Sequence, residues 1–157
     1  MTTTVPEACP GYAILSPLLD YPDDGYIART DDCGRMLDER KDTVAPLVKP
    51  FTDAIGKMST AEVQELYTRT FDINPVCTLE VGWHVYGEDY ARGEFLVKMR
   101  QRLRECGLSE SKELPDHLTH VLALLVRLES GEADELAAGY VLPALKKMLD
   151  EIGRAHV

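Results

Sequence analysis

The last stretch of the chain limits its fold more than any other feature. Between Glu132 and Ile152, the residues Ala133, Leu136, Ala137, Tyr140, Val141, Ala144, Leu145, Met148 and Leu149 recur on one helical face. A stripe of this period does not suit a strand, and it needs a second apolar surface to cover it. Pro143 lies inside the stripe. It lacks an N–H and clashes with the preceding turn, so a kink or break is expected between Gly139 and Pro143.

The same period runs back through the chain. Ser59-Thr60-Ala61-Glu62 has capping-box spacing, and Val63, Leu66, Tyr67, Thr70 and Phe71 follow on one face. Pro75 biases Asn74 away from helical dihedrals and stops that helix at Asp72-Ile73-Asn74-Pro75. A short helix over Leu79 to Tyr86 ends at Gly87. A longer one over Glu88 to Cys106 carries Ala91, Phe95, Met99 and Leu103, with Glu88–Arg92 and Glu94–Lys98 as favourable i, i+4 pairs. Pro115 fits a first helical turn ahead of Leu118, Val121, Leu122 and Leu125. Upstream, Tyr12 to Leu19, Asp23 to Arg40 and Asp42 to Lys57 read as helices, the last two interrupted by Gly or Pro. No segment alternates as a strand does. The expectation is one all-α domain over residues 1–157, a helical bundle without repeats or linkers.

Charge narrows the partners. There are 27 Asp and Glu against 17 Lys and Arg, a net charge of −10. A general nucleic-acid binder needs the opposite sign to displace counterions from phosphates. Cationic partners, such as Arg-rich peptides, suit this balance. Residues 92–104 hold five basic residues, but the acids within 88–106 reduce that stretch to +1, which fits a solvated helix face. Cys9, Cys33, Cys77 and Cys106 form no CxxC pair, so neither a zinc ribbon nor a redox pair is supported. Met1 to Pro10 has no basic n-region or apolar h-region, and Val121 to Val126 is far too short to span a bilayer. Cytoplasmic residence with reduced thiols is expected.

Candidate chemistry is sparse. Glu113, His117 and His120 on one side of a helical start are of a type that binds metal, but no distant further ligand is evident. Helix capping by Glu113 and Asp116, or a recognition surface, accounts for the same cluster. Neither a GxSxG elbow nor a GxxxxGK[ST] loop occurs, and His84 near Cys77 fits a structural histidine. Tyr67, Phe71, Trp83, Tyr86 and Tyr90 form an aromatic set, of which Trp83 is the only tryptophan. Tyr67 and Phe71 flank Arg69 and run into Asp72, a combination suited to a groove for an apolar, cationic peptide.

Three motifs in order carry a resemblance. They are Leu66-Tyr67-Thr68-Arg69-Thr70-Phe71-Asp72, Tyr86-Gly87-Glu88-Asp89 with Arg92-Gly93, and Glu113-Leu114-Pro115-Asp116-His117-Leu118. Over about residues 60–130 the sequence resembles the redox-enzyme maturation chaperones of the TorD/DmsD/NarJ group, in the branch of the nitrate reductase delta subunits. The family's aromatic-x-x-Leu-Phe motif falls on Tyr67, Thr70 and Phe71, with Thr70 in place of Leu. Its Glu-Pro-x-Asp-His motif falls on Glu113, Asp116 and His117, with the proline at Pro115 in place of position 114.

The resemblance implies an all-helical, non-catalytic protein with no cofactor or metal of its own. Its partner would be the N-terminal leader and apo form of a molybdenum oxidoreductase catalytic subunit, held competent for molybdopterin guanine dinucleotide insertion. Export would be delayed where the leader carries a twin-arginine signal. Tyr67 and Phe71 are expected to form an apolar wall and Glu113 and Asp116 to contact or steer the cationic part, with His117 also in the expected peptide-binding set. Nucleic acid and direct membrane insertion are not expected, and monomer or dimer is left open. The alternatives are a helical regulatory adaptor and a metal-dependent hydrolase using Glu113, His117 and His120.

Overall fold

In the computed structural model, residues 10–155 are described. Met1 to Cys9 of the amino-terminal segment read above as lacking a signal lie outside them. Helix α1 (Pro10–Leu15) runs into a 3-10 turn at Ser16–Leu19, followed by α2 (Tyr26–Glu39), α3 (Ala45–Ile55) and α4 (Thr60–Tyr67). A 3-10 turn at Pro75–Cys77 precedes α5 (Val81–Tyr86) and α6 (Ala91–Glu105). The chain ends in α7 (Leu118–Arg127), α8 (Ser130–Leu136) and α9 (Leu142–Ala155). Among the described residues there is no strand, only an isolated antiparallel bridge between Glu80 and His117. The all-α class is as expected, and no helix is long and apolar enough to cross a membrane among those residues.

Local chemistry sets the boundaries. The capping box forms at α4: Ser59 Oγ accepts from the Glu62 N–H at 3.3 Å, and Glu62 Oε2 accepts from the Ser59 N–H at 2.7 Å. Helix α4 then widens into one π turn at Thr68–Asp72, where the Ile73 N–H donates to Thr68 O at 3.1 Å. The Thr70 hydroxyl bonds back to Leu66 O at 2.7 Å, as hydroxyls do where a helix bends. Asn74 is extended ahead of Pro75, and the helix stops where the sequence indicated.

The break expected near Pro143 is a second π turn, Ala137–Val141, which divides the predicted 132–152 helix into α8 and α9. Its extra residue rotates the apolar face. Leu136, Val141, Ala144 and Met148 are buried, whereas Leu149 turns outward and is 66% exposed. Helix α6 starts at Ala91, not Glu88, because Asp89 Oδ1 accepts from the Ala91 N–H at 2.8 Å in the preceding turn. The expected Glu88–Arg92 pair is therefore replaced: Arg92 instead reaches Glu80 and Asp116. Pro115 lies in a turn ahead of α7 rather than in its first turn.

The main apolar core gathers Tyr67, Phe95, Met99, Leu103, Val121, Leu124 and Met148 with their neighbours. Two smaller clusters fasten the first four helices: Ile14, Leu18, Cys33 and Leu37, and then Tyr26, Ile55 and Val63. Ser59→Ala should remove the α4 cap and cost about 1 kcal/mol, lowering Tm by roughly 2–4 °C in a thermal melt.

Candidate functional site

The site is built on a short junction. Leu79 O accepts from the Leu118 N–H at 2.8 Å, and Asp116 O accepts from the Val81 N–H at 3.0 Å, so the α5 and α7 entries lie side by side. Asp116 is fully buried there. Its Oδ2 accepts from the Gly82 N–H at 3.0 Å and from Arg92 Nη2 at 3.4 Å, while Arg92 Nη2 also donates to Glu80 at 2.7 Å. The Arg92 guanidinium lies 5.7 Å from the Trp83 ring centroid. Burial pushes the Asp116 carboxyl above the usual range, and the Arg92 charge opposes that rise. A Cβ on Gly82 would stand 2.6 Å from Asp116 Oδ2 and 2.9 Å from Phe95, so only glycine admits this approach.

The two histidines beyond are consumed locally. His117 Nδ1 accepts from the Thr119 N–H at 3.3 Å and lies 2.9 Å from its hydroxyl, capping α7. Accepting at Nδ1 assigns the proton to Nε2. His120 Nε2 accepts from the Ser111 N–H at 3.1 Å, which leaves Nδ1–H to donate to Leu114 O at 2.8 Å. Glu113, His117 and His120 do not converge: no set of three or more His, Cys, Asp or Glu able to hold a metal occurs among the described residues. His84 is buried with Nε2 2.6 Å from Thr78 O, a structural role as read from the sequence.

Next to this junction, the segment 16–22 is pinned by four side-chain hydrogen bonds to α2, α4 and α7. Ser16 Oγ donates to Thr119 O at 2.9 Å and Tyr26 Oη to Leu18 O at 2.6 Å. Gln64 Nε2 donates to Pro22 O at 2.9 Å and Tyr67 Oη to Leu19 O at 2.7 Å. With these groups satisfied, Leu18 and Leu19 present apolar surface to two clefts. One, of about 190 Å³, lies among Leu19, Phe51, Val63, Tyr67, Thr70 and Phe71. The other, of about 450 Å³, is lined by Tyr12, Leu15, Leu47, Phe51, Leu122 and Leu145 with Leu18 and Leu19. The shared residues Leu18, Leu19 and Phe51 join them into one apolar trough.

One end of the trough is acidic. The Tyr21 ring meets Tyr67 edge-on at 5.5 Å, and Tyr67 meets Phe71 at 5.1 Å. Tyr21 also lines an open recess of about 500 Å³ with Asp20, Asp23, Glu113, Arg29 and Lys112. Burial raises the Asp20 carboxyl above its ordinary value, against the pull of His117 and His120. Asp72 is raised too, by burial and then by the Glu113 carboxylate. A carboxyl raised by burial and by a neighbouring like charge gains from an added cation.

Of the residues read from sequence, Tyr67, Thr70 and Phe71 come together on the trough, and Glu113 stands on its acidic rim. Asp116 and His117 are buried in the junction beneath, where Asp116 bonds the Gly82 N–H and His117 the Thr119 N–H. Trp83 lines a different recess with Val76, Lys147 and Arg154, and Tyr90 is 90% exposed. Sequence reasoning missed Leu18, Leu19, Asp20, Tyr21, Phe51 and Lys112. The run Leu18-Leu19-Asp20-Tyr21 repeats the adjacency of apolar, aromatic and acidic groups that had marked residues 67–72.

Fold and recess together define a class: a helical protein with an apolar trough closed at one end by carboxylates. The chain belongs to the nitrate reductase delta subunit family, whose model matches residues 37–156. It is 31% identical over 130 residues to the nitrate reductase molybdenum cofactor assembly chaperone NarJ of Escherichia coli (strain K12), a match covering 78% of this chain and 53% of that protein. It is 26% identical over 132 residues to the probable nitrate reductase molybdenum cofactor assembly chaperone NarJ of Bacillus subtilis (strain 168), covering 83% of this chain and 72% of that one. The chain thus spans about half the length of the Escherichia coli relative.

Two outcomes follow from the junction. Gly82→Ala should lower stability by about 1–3 kcal/mol in urea unfolding, because Asp116 or Phe95 must shift. Burial, and to a lesser extent His120, hold the His117 imidazole down to about 4, against 6.5 when free. The unfolded chain therefore takes this proton first. The associated stability is complete above pH 6.5 and is lost as pH falls toward about 4, by on the order of 3 kcal/mol. Urea unfolding at pH 7 and pH 4.5 should show that dependence reduced in His117→Asn, which keeps a capping side chain.

Proposed function

We propose that this chain is a NarJ-type assembly chaperone, which receives the N-terminal leader of a molybdenum oxidoreductase catalytic subunit and keeps the apo form competent for molybdopterin guanine dinucleotide insertion. Nitrate reductase is the client that the relatives' names favour. The work is done in the cytoplasm as a single helical domain without catalysis, and export waits on release where the leader carries a twin-arginine signal.

The observation that carries this proposal is the trough with one acidic end. A leader of this class presents an apolar stripe and basic residues. Laid as a helix in the groove, it buries its stripe against Leu19, Phe51, Tyr67 and Phe71, while its cation meets the rim of Glu113, Asp20 and Asp72. Tyr67 is buried and tied to Leu19 O, so it supports the wall; the half-buried Phe71 offers the contact surface. Aromatic anchors of this kind carry much of the affinity at small interfaces, and rim charges govern the salt dependence.

The test is calorimetric titration with a synthetic leader of the host's nitrate reductase catalytic subunit. Phe71→Ala should weaken binding by roughly tenfold, about 1.4 kcal/mol. Glu113→Gln should weaken it less and flatten its dependence on salt. If both variants are folded and bind as the parent does, the site assignment is wrong. If the parent itself binds no leader, the proposed function is wrong as well.

A further inference from the structure

We infer that Lys112 is a built-in competitor for the client's cation: its ammonium already rests on Tyr21 at the acidic end of the trough. This rests on the leader-binding function proposed above and adds a determinant of selectivity to it.

Lys112 Nζ lies 5.8 Å from the Tyr21 ring centroid, inside the range at which an ammonium is attracted to an aromatic face. The recess around it holds Asp20, Asp23 and Glu113, and one further cation, Arg29. Arg29 is committed, because its Nη2 donates to Asp23 Oδ1 at 2.8 Å. Lys112 makes no ion pair or hydrogen bond through Nζ among the described residues and acts on Asp72 only through its field. Its occupancy of the ring face is therefore held by weak forces.

The backbone on each side is fixed while the side chain is free to leave. The Ser111 N–H is bound by His120 Nε2 at 3.1 Å, and the Glu113 N–H by Ser111 Oγ at 3.2 Å. Lys112 itself is exposed, so swinging its flexible stem into water breaks no packed contact. An arginine or lysine of the client can displace the ammonium from the ring and take up the same carboxylate field. Until then Lys112 partly neutralises the rim, which weakens binding of cationic peptides in proportion to their charge. Peptides that match the apolar trough but bring only weak positive charge gain too little to displace it.

The experiment uses the full chain and two peptides: the leader named above, and the same leader with every Arg and Lys replaced by Gln. At low salt, Lys112→Gln should bind the cationic leader roughly threefold to tenfold more tightly than the parent. That gain should shrink below about twofold near 0.5 M salt, where surface charges are screened. Lys112→Arg should bind as the parent does, and the neutral peptide should bind both proteins equally. Unchanged or weaker binding of the cationic leader by Lys112→Gln overturns the inference, as does equal tightening of the neutral peptide. A parent that binds neither peptide overturns the leader-binding function itself, and this inference falls with it.

Discussion

The buried Asp116 carboxylate is the constraint around which the rest is arranged. Through Gly82 it holds the start of α5, and through Arg92 it holds α6, while the adjoining backbone places the start of α7. A buried ion pair of this kind adds little net stability, because desolvation offsets most of the attraction. What it does fix is arrangement, since removing Arg92 would leave the Asp116 carboxylate buried without a counter-charge. Gly82 is bound to the same requirement, as any Cβ would occupy the space of the carboxylate oxygen. The His117 cap and the Glu113 rim then follow at defined places along the chain.

The trough depends on a second accommodation of polar groups. Residues 16–22 cross the surface between helices, where free carbonyls would attract water. Three of those carbonyls are bonded by Tyr26, Gln64 and Tyr67, and Ser16 fastens the segment to α7. Buried Leu18 and half-buried Leu19 can then line the trough as a dry floor. The same tyrosine that satisfies Leu19 O forms the wall with Phe71, so polar satisfaction and apolar recognition share one side chain.

Much of this was legible in the sequence. The helical class, the capping box at Ser59, the stop at Pro75 and the break before Pro143 all follow from local rules that act within a few residues. The apolar stripes of α6 and α7 predict buried Phe95, Met99, Leu103 and Val121, because one face of a regular helix must be covered. Leu149 departs from that logic. A π turn adds a residue, and its shift of the face cannot be read from an α-helical period. Arg92 departs as well: its distant partners Glu80 and Asp116 prevail over an i, i+4 neighbour that lies outside the helix.

By itself, the sequence determined the helical class, the places where helices start and break, the acidic balance and the family. Each of these depends on residue type and short spacing. Tertiary structure decided which polar residues face solvent. Asp116 and Glu113 are three positions apart and chemically alike, yet one is buried beneath the junction and the other stands on the rim. Tertiary structure also brought Leu18 to Tyr21 against Tyr67 and set Lys112 over Tyr21. Residues so far apart along the chain meet only after helices pack, because their contact is set by the covering of apolar faces and not by any local pattern.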